Sequence, residues 1–197
     1  MWPWEHLAVG YIGYSLVVRL LARRAPGDAA VVALALGTQF PDLVDKPLAW
    51  VLGILPSGYS LGHSLFVAAP LSALVITAAW GLRRTEIGAA FAFGYLSHLP
   101  GDVFYSLLVG SDAAYSVVLW PVVPAGDSGA TVNLVAKVRE LFGRYVAELA
   151  SGEVGTYLAV ELGLFASVVA LWVLDGMPPL RAAWSWLVRS KPVEETP

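Results

Sequence analysis

Residues 64–82 read SLFVAAPLSALVITAAWGL, a stretch with no charged side chain that is closed by Arg83 and Arg84. Such a run is long enough to be a candidate for crossing a bilayer, which takes about 20 mostly apolar residues in a helix. It has company: Ile87 to Leu107 is interrupted only by His98 and Asp102, and Leu162 to Leu174 continues an apolar run behind Glu161. Each run alone also suits a buried soluble helix. Together they leave too little polar surface, since 57% of the residues are hydrophobic and 14% charged, against roughly 25% charged in soluble domains. The expectation is an all-α fold, a polytopic integral membrane helical bundle with short interfacial helices. One transmembrane helical domain spans residues 1–190, with a flexible tail over 191–197.

The chain has no cysteine, which excludes disulfides, thiolate zinc ligands and thiol nucleophiles. A formal charge of −3 with scattered basic residues gives no nucleic-acid footprint, so no nucleic-acid contact is expected. Met1-Trp-Pro-Trp-Glu-His lacks the basic start of a secretory signal, and the first apolar run is expected to stay in the mature protein. The sequence leaves the oligomeric state open.

Punctuation along the chain predicts a helix over Leu7–Leu21, stopped by Pro26-Gly27. A short helix follows over Ala29–Thr38, ending before Pro41 because proline disfavours a helical predecessor; at this length the alternatives are a helix tilted with its neighbours, a partly interfacial one, or one continued by Phe40-Pro41 as a kinked segment. Lys46 to Leu55, flanked by Pro47 and Pro56, reads as an interfacial or re-entrant helix. A span covers about Gly62 to Gly81, and another rises from Glu86 to His98, where Pro100-Gly101 mark a kink or a break. Val103 to Val123 reads as one irregular span or two half-helices. Ala125 to Asn133 is loop, Val132 to Leu149 an amphipathic membrane-surface helix, and Val154 to Leu174 the last span. Trp184 and Trp186 are interfacial anchors.

All three histidines sit in polar interruptions of this apolar pattern: Trp4-Glu5-His6, Gly62-His63-Ser64 and His98-Leu-Pro-Gly-Asp102, joined by Asp42 and Asp45. Imidazole and carboxylate are the N and O ligands of divalent ions, and ionisable groups near membrane-segment ends are costly unless paired or ligated. Taking Arg19, Arg23, Arg24, Arg83 and Arg84 as cytoplasmic markers, alternating segments place His6, Asp42, Asp45, His63, His98 and Asp102 in one layer on the opposite side. These six are the expected metal ligands. Asp45, His98 and Asp102 are the expected catalytic set, with Asp45 taking the proton of a metal-bound water. Zinc is favoured by three imidazoles among six ligands, with manganese the alternative. Glu5, Ser64, Asp112 and Glu161 are further candidates. Ser64 also reads as a helix cap, and Glu161 as a residue that snorkels or bonds a neighbour.

Four segments carry a resemblance: His6; Gly37-Thr-Gln-Phe-Pro41-Asp42-Leu-Val-Asp45; Ser57-Gly-Tyr-Ser-Leu-Gly-His63-Ser64; and His98-Leu-Pro-Gly-Asp102. In this order they resemble the inner-membrane metal-dependent hydrolase family known for a LexA-binding member, and more remotely the phospholipase C and P1 nuclease group. The aspartate pair is spaced more widely than in that family, and the first histidine of its H-R-G-x-T-H-S segment is absent. A single-metal site, a site completed by Glu5 or Asp112, and an inactive relative all remain open. The resemblance implies a membrane-embedded hydrolase of the cell (inner) membrane, acting on a phosphoester of a lipid or lipid-linked substrate, with its site at the extracytoplasmic face. The alternatives are a non-catalytic membrane protein holding a structural metal or polar network, and a small transporter.

Overall fold

A computed structural model describes residues 1–108, 112, 114–124, 134–151 and 155–189. The described residues form seven α-helices and no strand: α1 (Pro3–Ala22), α2 (Asp28–Lys46), α3 (Leu65–Gly81), α4 (Thr85–Leu108), α5 (Leu134–Ala150), α6 (Thr156–Leu174) and α7 (Leu180–Arg189). A π-helical turn, Pro47–Val51, prolongs α2, and a 3₁₀ turn, Tyr115–Val117, follows α4. The expected tail 191–197 and loop 125–133 lie outside the described residues.

Three expectations need correction. The second helix does not end before Pro41: of the alternatives, continuation through Phe40-Pro41 holds, and α2 runs on to Lys46 with the proline inside it. Pro41 costs α2 the hydrogen bond to the Gly37 carbonyl, but its ring is fully buried, so packing holds the helix together through the defect. Likewise α4 passes through Pro100-Gly101 without a break. Among the described residues of Val103 to Val123 neither one span nor two half-helices is found: α4 is Thr85–Leu108, and the 3₁₀ turn folds back so that Val118 O accepts Leu65 N–H at the start of α3 (2.9 Å).

The centre of the bundle is the crossing of α2 with α4, the most extensive helix contact. Gly37 and Gly94 face the partner backbone there, and a Cβ on either would overlap a main-chain carbonyl, of Phe91 and of Leu34 respectively. Small residues that let helices meet backbone to backbone are the usual device of membrane bundles. Helix α1 lies against both, and α3 against α4. A core of Tyr11, Tyr14, Val18, Ala30, Leu34 and Ala90 fills one end. At the other end the interior is polar.

The outside is apolar. Leu21, Leu36, Leu74, Trp80, Leu82, Phe104 and Phe165 are all exposed, while Thr38, Asp45, Ser60, His63 and His98 are fully buried. This inverts the soluble pattern. Helix α6 is long and apolar enough to cross a membrane, at mean hydropathy 2.1, and α3 is a shorter apolar helix.

Candidate metal centre

Four elements deliver the polar side chains at that end. His6 comes from the first turns of α1, Asp42 and Asp45 from the last turns of α2, and His63 from the loop before α3. His98 and Asp102 lie one turn apart on α4, which carries both on one face because it passes through Gly101.

His98 is fixed first. The glycine crossing brings α4 close enough for its Nδ1 to bond Thr38 O (2.6 Å). A carbonyl only accepts, so Nδ1 carries the proton and Nε2 the lone pair. His63 is fixed the same way, with Nδ1 2.8 Å from Asp45 Oδ2. Asp45 also accepts the backbone N–H groups of Ser60 (2.7 Å), Gly62 (2.7 Å) and His63 (3.2 Å). Gly62 belongs there because a Cβ would press on Pro41 O. Its own carbonyl accepts the Tyr95 hydroxyl (2.7 Å).

The free ends of these groups converge. His63 Nε2 lies 3.1 Å from His98 Nε2, 3.3 Å from Asp102 Oδ2 and 3.4 Å from Asp42 Oδ1. His98 Nε2 is 3.1 Å from Asp102 Oδ2 and 3.9 Å from Asp42 Oδ1. Neither Asp42 Oδ1 nor Asp102 Oδ2 has a hydrogen-bond partner. The other Asp42 oxygen is held by Lys46 Nζ (2.5 Å). In a tetrahedral zinc site with bonds of ~2.0–2.1 Å, ligand atoms stand about 3.4 Å apart. Four of these five separations lie at 3.1–3.4 Å, so His63 and His98 together with a carboxylate oxygen can share one small divalent ion.

Without a cation the arrangement needs a proton. Burial opposes charging His63, but the carboxylates of Asp102, Asp42 and Asp45 around it outweigh that and raise its pKa to about 10. Three carboxylates face only Lys46 and the Met1 amino group (2.9 Å from Asp102 Oδ1) as cations, so with neutral imidazoles the cluster is negative.

His6 stands beside this quartet. Its ring stacks on His98 (centroids 3.6 Å apart, 8° between planes), and Nε2 is 3.2 Å from Asp102 Oδ1 with neither ring nitrogen hydrogen-bonded. His6, His98 and Asp102 form one metal-capable triad, and Asp42, His63 and His98 another. One imidazole nitrogen has one lone pair, so the two triads cannot both use His98 Nε2.

The remaining candidates lie elsewhere. Glu5 spends Oε2 on Trp2 N–H (2.5 Å) and Oε1 on the Tyr157 hydroxyl (2.8 Å). It secures the start of α1 and does not complete the cluster. Asp112 is exposed. Ser64 occupies the cap position of α3, but its hydroxyl donates to Trp120 O (2.5 Å) and makes no cap bond. Glu161 is buried in α6 between Trp4 and Tyr145, away from the quartet. Sequence reasoning missed Lys46, whose four-residue spacing from Asp42 was visible, and the Thr38 carbonyl, which no side-chain pattern reveals.

The sequence profile of the YdjM inner membrane protein family matches residues 1–178, which include every helix that builds this site. The chain belongs to that family. No match is found among curated proteins or solved structures. With the apolar α6, membership makes this a membrane-associated protein with buried His/Asp clusters able to chelate a divalent metal.

Proposed function

We propose that this YdjM-family chain is a polytopic membrane protein that holds one divalent ion, zinc before manganese, between His63, His98, Asp42 and Asp102. The observation that supports it most is the convergence of two imidazole nitrogens 3.1 Å apart on buried carboxylate oxygens of Asp42 and Asp102 that have no hydrogen-bond partner. Buried charges of this kind are strongly destabilising unless paired or ligated. In this reading Asp45, expected from sequence as ligand and base, orients His63 instead. The carboxylate–histidine–metal relay is a common second layer of metal sites. Elemental analysis of detergent-purified protein before any chelation is expected to find about one zinc per chain, lost in His63→Ala and His98→Ala. Metal-free wild type would overturn the reading.

His6 supports a second reading, hydrolysis of a phosphoester of a membrane lipid or lipid-linked substrate at the extracytoplasmic face. A bound ion would lower the pKa of a coordinated water from ~15.7 toward ~7 and polarise a phosphoryl oxygen. His6 is left over from the quartet, and its Nε2 is placed beside Asp102 to accept a proton. Helix α1 holds it there by stacking on His98, and the apolar surroundings keep bulk water away. Wild type, loaded with zinc or manganese, is expected to release phosphate or headgroup from phospholipids or lipid-linked pyrophosphates. His6→Ala should keep its metal and lose most of that turnover. Metal-loaded wild type that turns over none of these leaves the ion structural.

A further inference from the structure

A second polar feature lies outside the metal centre. Helices α1, α5 and α6 enclose a cleft of about 400 Å³ lined by Trp4, Ala8, Tyr145, Leu149, Glu161 and Phe165. That volume is in the range of small-molecule sites. Glu161 is only 9% exposed. Its Oε1 accepts Trp4 Nε1–H (3.0 Å) and the Tyr145 hydroxyl (2.8 Å), whereas Oε2 is buried with no hydrogen-bond partner.

A divalent metal fits poorly, since one free oxygen is on offer and the Glu5 oxygens, also on this cleft, are already bonded. A cation with its own N–H groups answers the need. The Trp4 and Tyr145 rings (centroids 5.6 Å apart, 56° between planes) offer π faces that attract a cation. Glu5 adds negative charge, and no basic side chain lines the cleft. Leucine and phenylalanine make up most of the remaining wall, so the cation must come on an apolar stem.

We propose that the cleft between α1, α5 and α6 binds a primary ammonium carried on an apolar stem, with Glu161 Oε2 as its counter-ion. The site is independent of the ion at the quartet. An ionisable residue within a membrane helix is costly to bury and is normally retained for a function.

Titration calorimetry of purified wild type with hexylammonium and with hexanol tests the charge, and thermal stability in phosphatidylethanolamine against phosphatidylglycerol nanodiscs tests a lipid source. Hexylammonium is expected to bind and hexanol not. Glu161→Gln, which keeps an acceptor for Trp4 and Tyr145, should weaken that binding at least tenfold with melting midpoint and bound metal unchanged. Leu149→Trp, on the open side of the cleft, should block it and serves if Glu161→Gln fails to fold. Stabilisation by phosphatidylethanolamine that disappears in the variants assigns the ammonium to a lipid headgroup; binding of hexylammonium without it assigns a free amine. Wild type that binds neither amine, does not distinguish hexylammonium from hexanol, or matches its folded variants overturns the proposal.

Discussion

Asp42 and Asp45 are three residues apart on α2, yet they serve different partners. Asp42 presents Oδ1 to the histidines with Lys46 on its other oxygen, and Asp45 is enclosed by three N–H groups and His63. The spacing showed that both could face inward. It could not show which oxygen meets what, because the partners of Asp45 belong to the backbone of the loop at residues 60–63. The difference has consequences for mutation. Asp45→Asn should lower metal affinity about 10–100-fold while leaving the ligands in place, the usual cost of losing an orienting partner. Asp42→Asn should remove a ligand and lower metal occupancy further, and zinc competition titration ranks the two. The proton on His63 adds a pH signature. With a folded pKa of about 10 against an ordinary 6.5, its contribution to the stability of chelated protein is complete below 6.5 and is lost as pH rises through 10. Zinc needs the same nitrogen without its proton, so apparent zinc affinity should increase between pH 6 and 10. Melting curves of chelated protein and zinc titrations across that range should therefore move in opposite directions; parallel trends would remove His63 from the ligand set.

Among the elements, the apolar helices Leu65–Gly81 and Thr156–Leu174 were legible because uncharged length needs no neighbour to interpret it. The α2 boundary was not. Local rules end a helix before proline, and here burial of Pro41 and the bonds made by Asp42 and Asp45 beyond it prevail over that preference. Nor did the sequence single out Gly37 and Gly94 as the crossing on which His98 depends, since a glycine marks close approach without naming its partner. Their role is open to measurement. Gly37→Ala puts a methyl into the Phe91 carbonyl and should cost about 1–3 kcal/mol by overpacking. It should also reduce bound zinc, because His98 shifts away from Thr38. Gly163→Ala in α6, where a Cβ meets nothing within 4 Å, is the matched control and should be neutral or slightly stabilising. Thermal unfolding and zinc content read together decide whether the crossing supports the site: equal effects of the two substitutions would show that it does not.

For the whole molecule the distribution of charge sets the orientation. The metal quartet lies at one end of α1, α2 and α4. At the other, Arg24 chelates Glu86 (3.1 and 2.7 Å), and Arg19 holds Asp175 together with Tyr11 and Ser15. Because Trp4 bonds Glu161 and Arg19 bonds Asp175, α1 and α6 run parallel. In the multi-span reading proposed above, α1, α2, α3 and α4 cross in alternation and bring the chain back to the site end. Helix α5 then meets Trp2 and Trp4 through Tyr145 at that end, and α6 begins there. That reading then predicts five passes, with the arginine-rich end in the cytoplasm by the positive-inside rule. The absence of cysteine makes this testable without altering the background. In intact cells a membrane-impermeant maleimide should label Tyr115→Cys, an exposed position on the 3₁₀ turn at the site end, and should label Arg84→Cys only after permeabilisation. Leu180→Cys, beyond the end of α6, should behave like Arg84→Cys. Labelling of Leu180→Cys in intact cells would mean that α6 does not complete a crossing, and labelling of both Tyr115→Cys and Arg84→Cys would end the multi-span reading. The reverse pattern, with Arg84→Cys labelled and Tyr115→Cys protected, would put the metal centre on the cytoplasmic side and exclude substrates confined to the outer leaflet.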